Sequence, residues 1–198
     1  MNNNLKTKDF IFIGIMSVVG MALYSIVMLI TMPFGTFGHS ISPGVFGLIG
    51  GTLFIFMCVK CGKKGFMTIY VLIQMLMTVV MGAGYLPWFI SSVTAAVIAD
   101  LILYFLNYNS LIAQVLAWPI VQCGSAAGAW IPIWFFVDSF KETWISRNQT
   151  AEQMEETVKY ATGYFGILSV VSVITLSIFG VILGRFILKK YFPKELSK

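Results

Sequence analysis

Apolar residues run along the chain in long blocks, separated by short clusters of Gly, Pro, Asn and Lys. The first block extends from Phe10 to Met32 and stops at Pro33. Phe34 to Pro43 mixes Gly, Pro and hydroxyl residues and predicts a loop holding His39. Gly44 to Val59 predicts a second helix, in which Gly47 and Gly51 let a neighbouring backbone come close. The segment from Lys60 through Gly65 reads as a tight basic turn, and Phe66 to Met81 as a third helix with Gln74 midway along it. Pro87 suits the opening of a fourth helix that runs to Leu106. A fifth block, Leu111 to Val137, is punctuated by Pro119, Gly124, Gly128 and Pro132 and predicts a kinked or broken helix. Asp138 to Tyr160 is the one long polar stretch. Within it Thr150 and Gln153 fit a capping box, while Met154, Val158 and Ala161 share a face, so a short amphipathic helix is predicted. The sixth block spans Gly163 to Gly184 and ends in Arg185, Lys189 and Lys190.

Composition turns these blocks into membrane spans. The 198 residues are 58% hydrophobic and 11% charged, with a mean hydropathy of +0.87, too little polar surface to coat a soluble globule. Each span needs roughly 20 apolar residues. The expectation is therefore an all-α integral membrane protein, a single domain over 1–198, with six transmembrane helices and no room for a soluble catalytic domain. The block after Lys6 and Lys8 is too long for a signal-peptide core and reads as an uncleaved first helix.

The net charge of +5 follows orientation rather than nucleic acid, because the basic residues flank apolar blocks instead of alternating with aromatics. With the N-terminus inside, Lys6, Lys8, Lys60, Lys63, Lys64, Arg185, Lys189, Lys190, Lys194 and Lys198 fall on the cytoplasmic side. Only Lys141, Arg147 and Lys159 fall outside. Both termini are thus predicted to be cytoplasmic, with the amphipathic helix outside, between spans five and six.

Little in the chain suits catalysis. A lone histidine cannot build a His-rich metal centre, and HExxH, GxSxG and Walker A patterns are missing, so neither enzyme, resident metal nor cofactor is expected. Cys58 and Cys61 have CxxC spacing but no thioredoxin-like surroundings, and read as ordinary helix-end cysteines. Asp100 is the one acid well inside a span; it is either functional or a structural partner for Lys60, Lys63, Arg185 or a neighbouring helix end.

Aromatic residues gather at the outer ends of the later helices. Tyr85, Trp88, Trp130, Trp134, Tyr160 and Tyr164 form either an interfacial belt or, with Ser91, Ser92, Ser125 and the nearby glycines, the wall of a pocket for an amphipathic small molecule. The candidate substrate-binding residues are His39, Tyr85, Trp88, Ser92, Ser125, Trp130, Trp134 and Tyr164. His39 would hydrogen-bond a carboxylate or ligate a metal-bearing ring such as a tetrapyrrole, unless it is simply an exposed loop residue.

Six short spans, the glycine-rich second helix, Lys60-Cys-Gly-Lys-Lys-Gly65, Ile98-Ala-Asp100-Leu-Ile102 and Gly128-Ala-Trp-Ile-Pro132 through Asp138 together resemble the S component of an energy-coupling factor (ECF) transporter, in particular the MptD-type subfamily. The resemblance implies a substrate-binding subunit in a bacterial cell membrane that captures a vitamin-like or other scarce nutrient from outside. Its implied partners are a transmembrane coupling protein and two ATPase subunits, with Gly14, Ser17 and Gly20 supplying small residues for the coupling-protein interface. A homodimeric secondary transporter or small channel is the alternative, although no internal repeat supports it.

Overall fold

The computed structural model describes residues 4–196; Lys198, assigned above to the basic side, lies outside the described residues. Those residues are all-helical. In chain order the helices are α1 (Thr7–Thr31), α2 (Gly35–Lys60), α3 (Phe66–Val80), α4 (Leu86–Leu106), α5 (Leu111–Phe135), α6 (Val137–Ile145), α7 (Ala151–Ala161), α8 (Gly163–Lys189) and the short α9 (Pro193–Leu196). A 3-10 turn, Met32–Phe34, joins α1 to α2. Four stretches are long and apolar enough to cross a membrane: Thr7–Lys60, Leu86–Leu106, Leu111–Phe135 and Gly163–Lys189. The first doubles back at the 3-10 turn, so that α1 and α2 lie against each other.

Three expectations change here. The segment from Gly35 to Pro43 is the beginning of α2, not a loop. Loop-forming residues are accommodated because Ser40 and Ser42 donate back to the carbonyls of Phe37 and His39, at 2.9 and 2.8 Å, and satisfy their hydroxyls within the helix. Similarly, α5 continues through Pro119 and Pro132 as one helix. The polar stretch forms two helices rather than one, with the expected capping box of Thr150 and Gln153 opening α7.

Helices α1, α2, α5, α4 and α3 form a closed ring, each packing on the next and α3 returning to α1. Outside it, α8 packs on α2 and α5. The α2–α8 seam is made of small residues. A Cβ on Gly51 would collide with the backbone of Gly180, one on Gly184 would lie 2.8 Å from Thr52 Cα, and one on Gly44 would lie 2.8 Å from Val173 Cα. Such backbone contact supplies the close van der Waals packing that lipid cannot drive hydrophobically.

Helix α3 has only 15 residues, about 22 Å, and its first turn lies beside Asp100, about 9 Å short of the end of α4. A helix end inside protein must find partners for its first N–H groups. Asp100 supplies them: its carboxylate accepts from the backbone of Met67 at 3.2 Å and Thr68 at 2.7 Å, and from the Thr68 hydroxyl at 2.5 Å. This is the helix-end role among those open for Asp100. Lys63 instead pairs with Asp9 at 2.5 Å, and Arg185 donates to the Asn109 carbonyl at 2.7 Å, to Gln114 at 2.8 Å and to the Leu196 carbonyl at 2.8 Å.

Removing the cap isolates its contribution. Asp100→Ala should destabilise the protein by about 1–2 kcal/mol, and Asp100→Asn by less because it keeps one acceptor; denaturant unfolding in detergent micelles checks both.

Candidate functional site

The ring of five helices encloses a cavity of about 50 Å³, lined chiefly by Tyr24 of α1, Phe46 of α2, Tyr70 and Gln74 of α3, Trp88 and Ser92 of α4, and Trp118, Gln122 and Ser125 of α5. Each wall is positioned by a local device. Gly20 has no side chain where the Tyr70 hydroxyl and the Gln74 amide approach α1. Tyr70 and Gln74 lie one turn apart on α3, and Gln74 Nε2 donates to the Tyr70 hydroxyl at 3.1 Å. Gly128 likewise makes room for the Trp88 backbone, and Trp88 Nε1 donates to the Ser125 hydroxyl at 3.1 Å. Trp118 is fully buried, stacks on Phe54 with centroids 4.8 Å apart, and donates its indole N–H to the Gly47 carbonyl at 2.7 Å.

Two polar side chains on this wall are buried, and one of them has no partner. Ser92 is 2% exposed, and its hydroxyl forms no hydrogen bond. Gln122 is 3% exposed and lines the same cavity. Buried polar groups are normally satisfied, and each failure costs roughly 1–3 kcal/mol. A cavity of this size and polarity holds a few waters when no larger molecule is present.

Of the residues expected to bind substrate, Trp88, Ser92 and Ser125 meet at this cavity. The other five do not. His39 is exposed on the second turn of α2. Tyr164 is 74% exposed. Trp130 is buried in a second apolar cluster with Ala126, Ile133, Phe140, Met154, Ala161 and Val173, where α6 and α7 cap one end of the bundle. Trp134 stacks on Trp130 at 6.1 Å and donates to the Ala161 carbonyl at 2.7 Å. Tyr85 packs against Phe140 and Trp144 with the Arg147 guanidinium over its ring, and burial pushes its phenol pKa up. The place where a pocket was expected is therefore filled by side chains.

The small-residue face expected on α1 is also divided. Gly14 is open, with no atom within 4 Å of the point a Cβ would occupy, whereas Ser17 is fully buried, donating to the Ile13 and Tyr70 carbonyls at 2.8 and 3.4 Å, and Gly20 faces Tyr70 and Gln74. Ser17 and Gly20 thus serve the internal α1–α3 contact. Cys61 has its thiol pushed up to about 11 by burial, with Asp9 adding to the shift, so it stays protonated near neutral pH and is a poor redox nucleophile.

The sequence pattern did not single out Gln122, Tyr24, Tyr70 or Trp118. The signal for Gln122 was present: an uncharged amide in an apolar span must find a partner or face a cavity. For Tyr70 and Trp118 no periodicity distinguishes a cavity wall from a helix contact.

A family described as hypothetical bacterial integral membrane protein (Trep_Strep) matches residues 7–194. The chain belongs to the Trep_Strep family. No curated protein and no solved structure matches it. As a Trep_Strep member with several apolar helices long enough to span, it is a multi-pass protein of a bacterial membrane.

Substitutions separate the packed aromatic cap from the histidine. Trp130→Ala should cost about 3 kcal/mol, since it empties a packed site, while His39→Ala should stay within about 0.5 kcal/mol of the parent. Thermal unfolding in detergent reads both.

Proposed function

We propose that this Trep_Strep protein is the S component of an ECF-type importer, related to the MptD-type subunits, and that its substrate occupies the cavity ringed by α1 to α5. The observation that carries the reading is an aromatic-walled space lined by Ser92, whose buried hydroxyl has no partner, and by the buried side chain of Gln122. A ligand that pairs the Ser92 hydroxyl and the Gln122 amide replaces the waters that serve them in the free protein.

In this reading α1, α2, α3, α4, α5 and α8 are the six spans. The basic residues put the turn before α3 and the end of α8 in the cytoplasm and the α6–α7 cap outside. The nutrient enters from the capped side and is passed on through a coupling protein driven by two ATPase subunits. With Ser17 and Gly20 engaged inside the chain, the coupling surface is the open side of α1 around Gly14, flanked by exposed Ile11, Ile15 and Val18.

Two experiments test this. In a background lacking Cys58, Cys61 and Cys123, a cysteine at Gln149 should react with an impermeant thiol reagent on intact cells and one at Lys64 should not; labelling at Lys64 overturns the orientation. When the tagged chain is co-expressed with the coupling protein and ATPases of its own bacterium, all four should purify together. Recovery of the chain alone, or as an ion-coupled homodimer, rejects the S-component assignment.

A further inference from the structure

The chemistry of the cavity wall narrows what it accepts. Its fourteen lining residues include no Asp, Glu, Lys, Arg or His. The polar atoms are hydroxyls, indole N–H groups and amides, and several are already engaged: Gln74 Nε2 donates to Tyr70, Trp88 donates to Ser125, and Trp118 donates to the Gly47 carbonyl. What remains for a ligand includes the Ser92 hydroxyl, the Gln122 amide, the Gln74 carbonyl oxygen and the O–H hydrogens of Tyr70 and Ser125, which so far only accept.

A charged ligand would be poorly served. Moving an ion from water into a site without a counter-charge leaves most of its solvation unreplaced. An anion would also meet the carbonyl oxygens of Gln74 and Gln122 with no proton to offer them. A cation would gain from the rings of Trp88 and Trp118, but with no carboxylate in the lining most of its hydration is left unreplaced. Only a neutral group carrying a donor beside an acceptor satisfies both ends of one side-chain amide. The aromatic rings of Phe46, Trp88 and Trp118 add flat apolar surface around it.

We infer that the cavity binds an uncharged, planar nitrogen heterocycle with an amide or lactam edge, paired by Gln122 and Ser92. This rests on the reading of the cavity as the substrate site. A ring larger than the waters it displaces needs the wall to give. Met21 and Met75, two flexible thioethers on the lining, are the side chains able to move without disturbing a hydrogen bond.

A matched set of three probes isolates charge at constant shape: nicotinamide, which is neutral, nicotinate, which is anionic, and 1-methylnicotinamide, which is a fixed cation bearing the same amide. Each is titrated against the purified chain in nanodiscs at millimolar concentration, with binding read by saturation-transfer NMR. Nicotinamide should bind saturably, with both charged relatives at least about tenfold weaker. Gln122→Met and Ser92→Ala should each weaken it about tenfold, in variants first shown by thermal unfolding to be folded. Preference for nicotinate or for the methylated cation overturns the neutral class while leaving the cavity as a ligand site. No saturable binding of nicotinamide, or equal binding in both variants, overturns the inference outright. Because co-purification with the ATPases is a separate measurement, the importer assignment can fail while the ligand class stands, and the reverse.

Discussion

The architecture depends on how closely α2 and α8 approach. In a bilayer the apolar side chains of two helices gain nothing by leaving lipid for each other, so association must come from atomic contact that lipid tails cannot match. Gly44, Gly47 and Gly51 on α2 bring its backbone against Val173, Ser177 and Gly180 on α8, and Gly184 extends the seam to Thr52. The Gly47 carbonyl at this seam also accepts from Trp118, which ties α5 to the same line. With α2 held there, its opposite side is left to present Phe46 toward the cavity. The ring can therefore enclose space without collapsing, because its rigidity comes from a contact on the outside.

A second constraint governs α3. This helix is too short to match its neighbours, and its ends are fixed by polar groups rather than by length. Asp100 holds the first turn, and at the other end Arg147 from the cap donates to the Gly84 carbonyl in the turn before α4 at 2.9 Å. Between these anchors α3 packs principally on α1 and α4, and carries Tyr70, Gln74 and Thr78 to the cavity. It is the wall with the fewest neighbours. A shift of α3 alters the cavity while leaving the α2–α8 seam untouched.

Most of the helices were legible because a membrane imposes long apolar blocks with little ambiguity: the boundaries read for α3, α4 and α8 lie within a few residues of those observed, and the capping box located the start of α7. The start of α2 was not legible, since Gly, Ser and Pro signal loops in water, whereas here their hydroxyls close on the helix itself and Gly44 serves close packing. The aromatic residues misled for a related reason. Trp130, Trp134 and Tyr85 do cluster at one end, but clustering is satisfied equally by a pocket and by a packed cap, and only the positions of Phe140 and Met154, brought back by α6 and α7, decide between them. Small residues on α1 are ambiguous in the same way. Ser17 and Gly20 mark a close contact, and nothing in their spacing tells an inner neighbour from an outer one.

The cap and the cavity divide the polar chemistry between them. In the cap, charges meet charges or exposed carbonyls: Lys141 pairs with Glu155 at 2.5 Å, and Glu156 accepts from Thr36 at 2.7 Å, which joins α7 to the start of α2. These contacts are exposed, and solvent-exposed pairs hold weakly, at roughly 1 kcal/mol or less. The cavity lining carries no charge, and the Ser92 hydroxyl goes unpaired. The cap's polar contacts are thus exposed and weak, and its hold on the bundle comes from the packed cluster around Trp130, while the cavity keeps a neutral polar lining. The link between them is Arg147, whose guanidinium lies over Tyr85 and Trp144 while it donates to the Gly84 carbonyl in the turn that ends α3, so that one side chain ties the packed cap to the wall of the cavity.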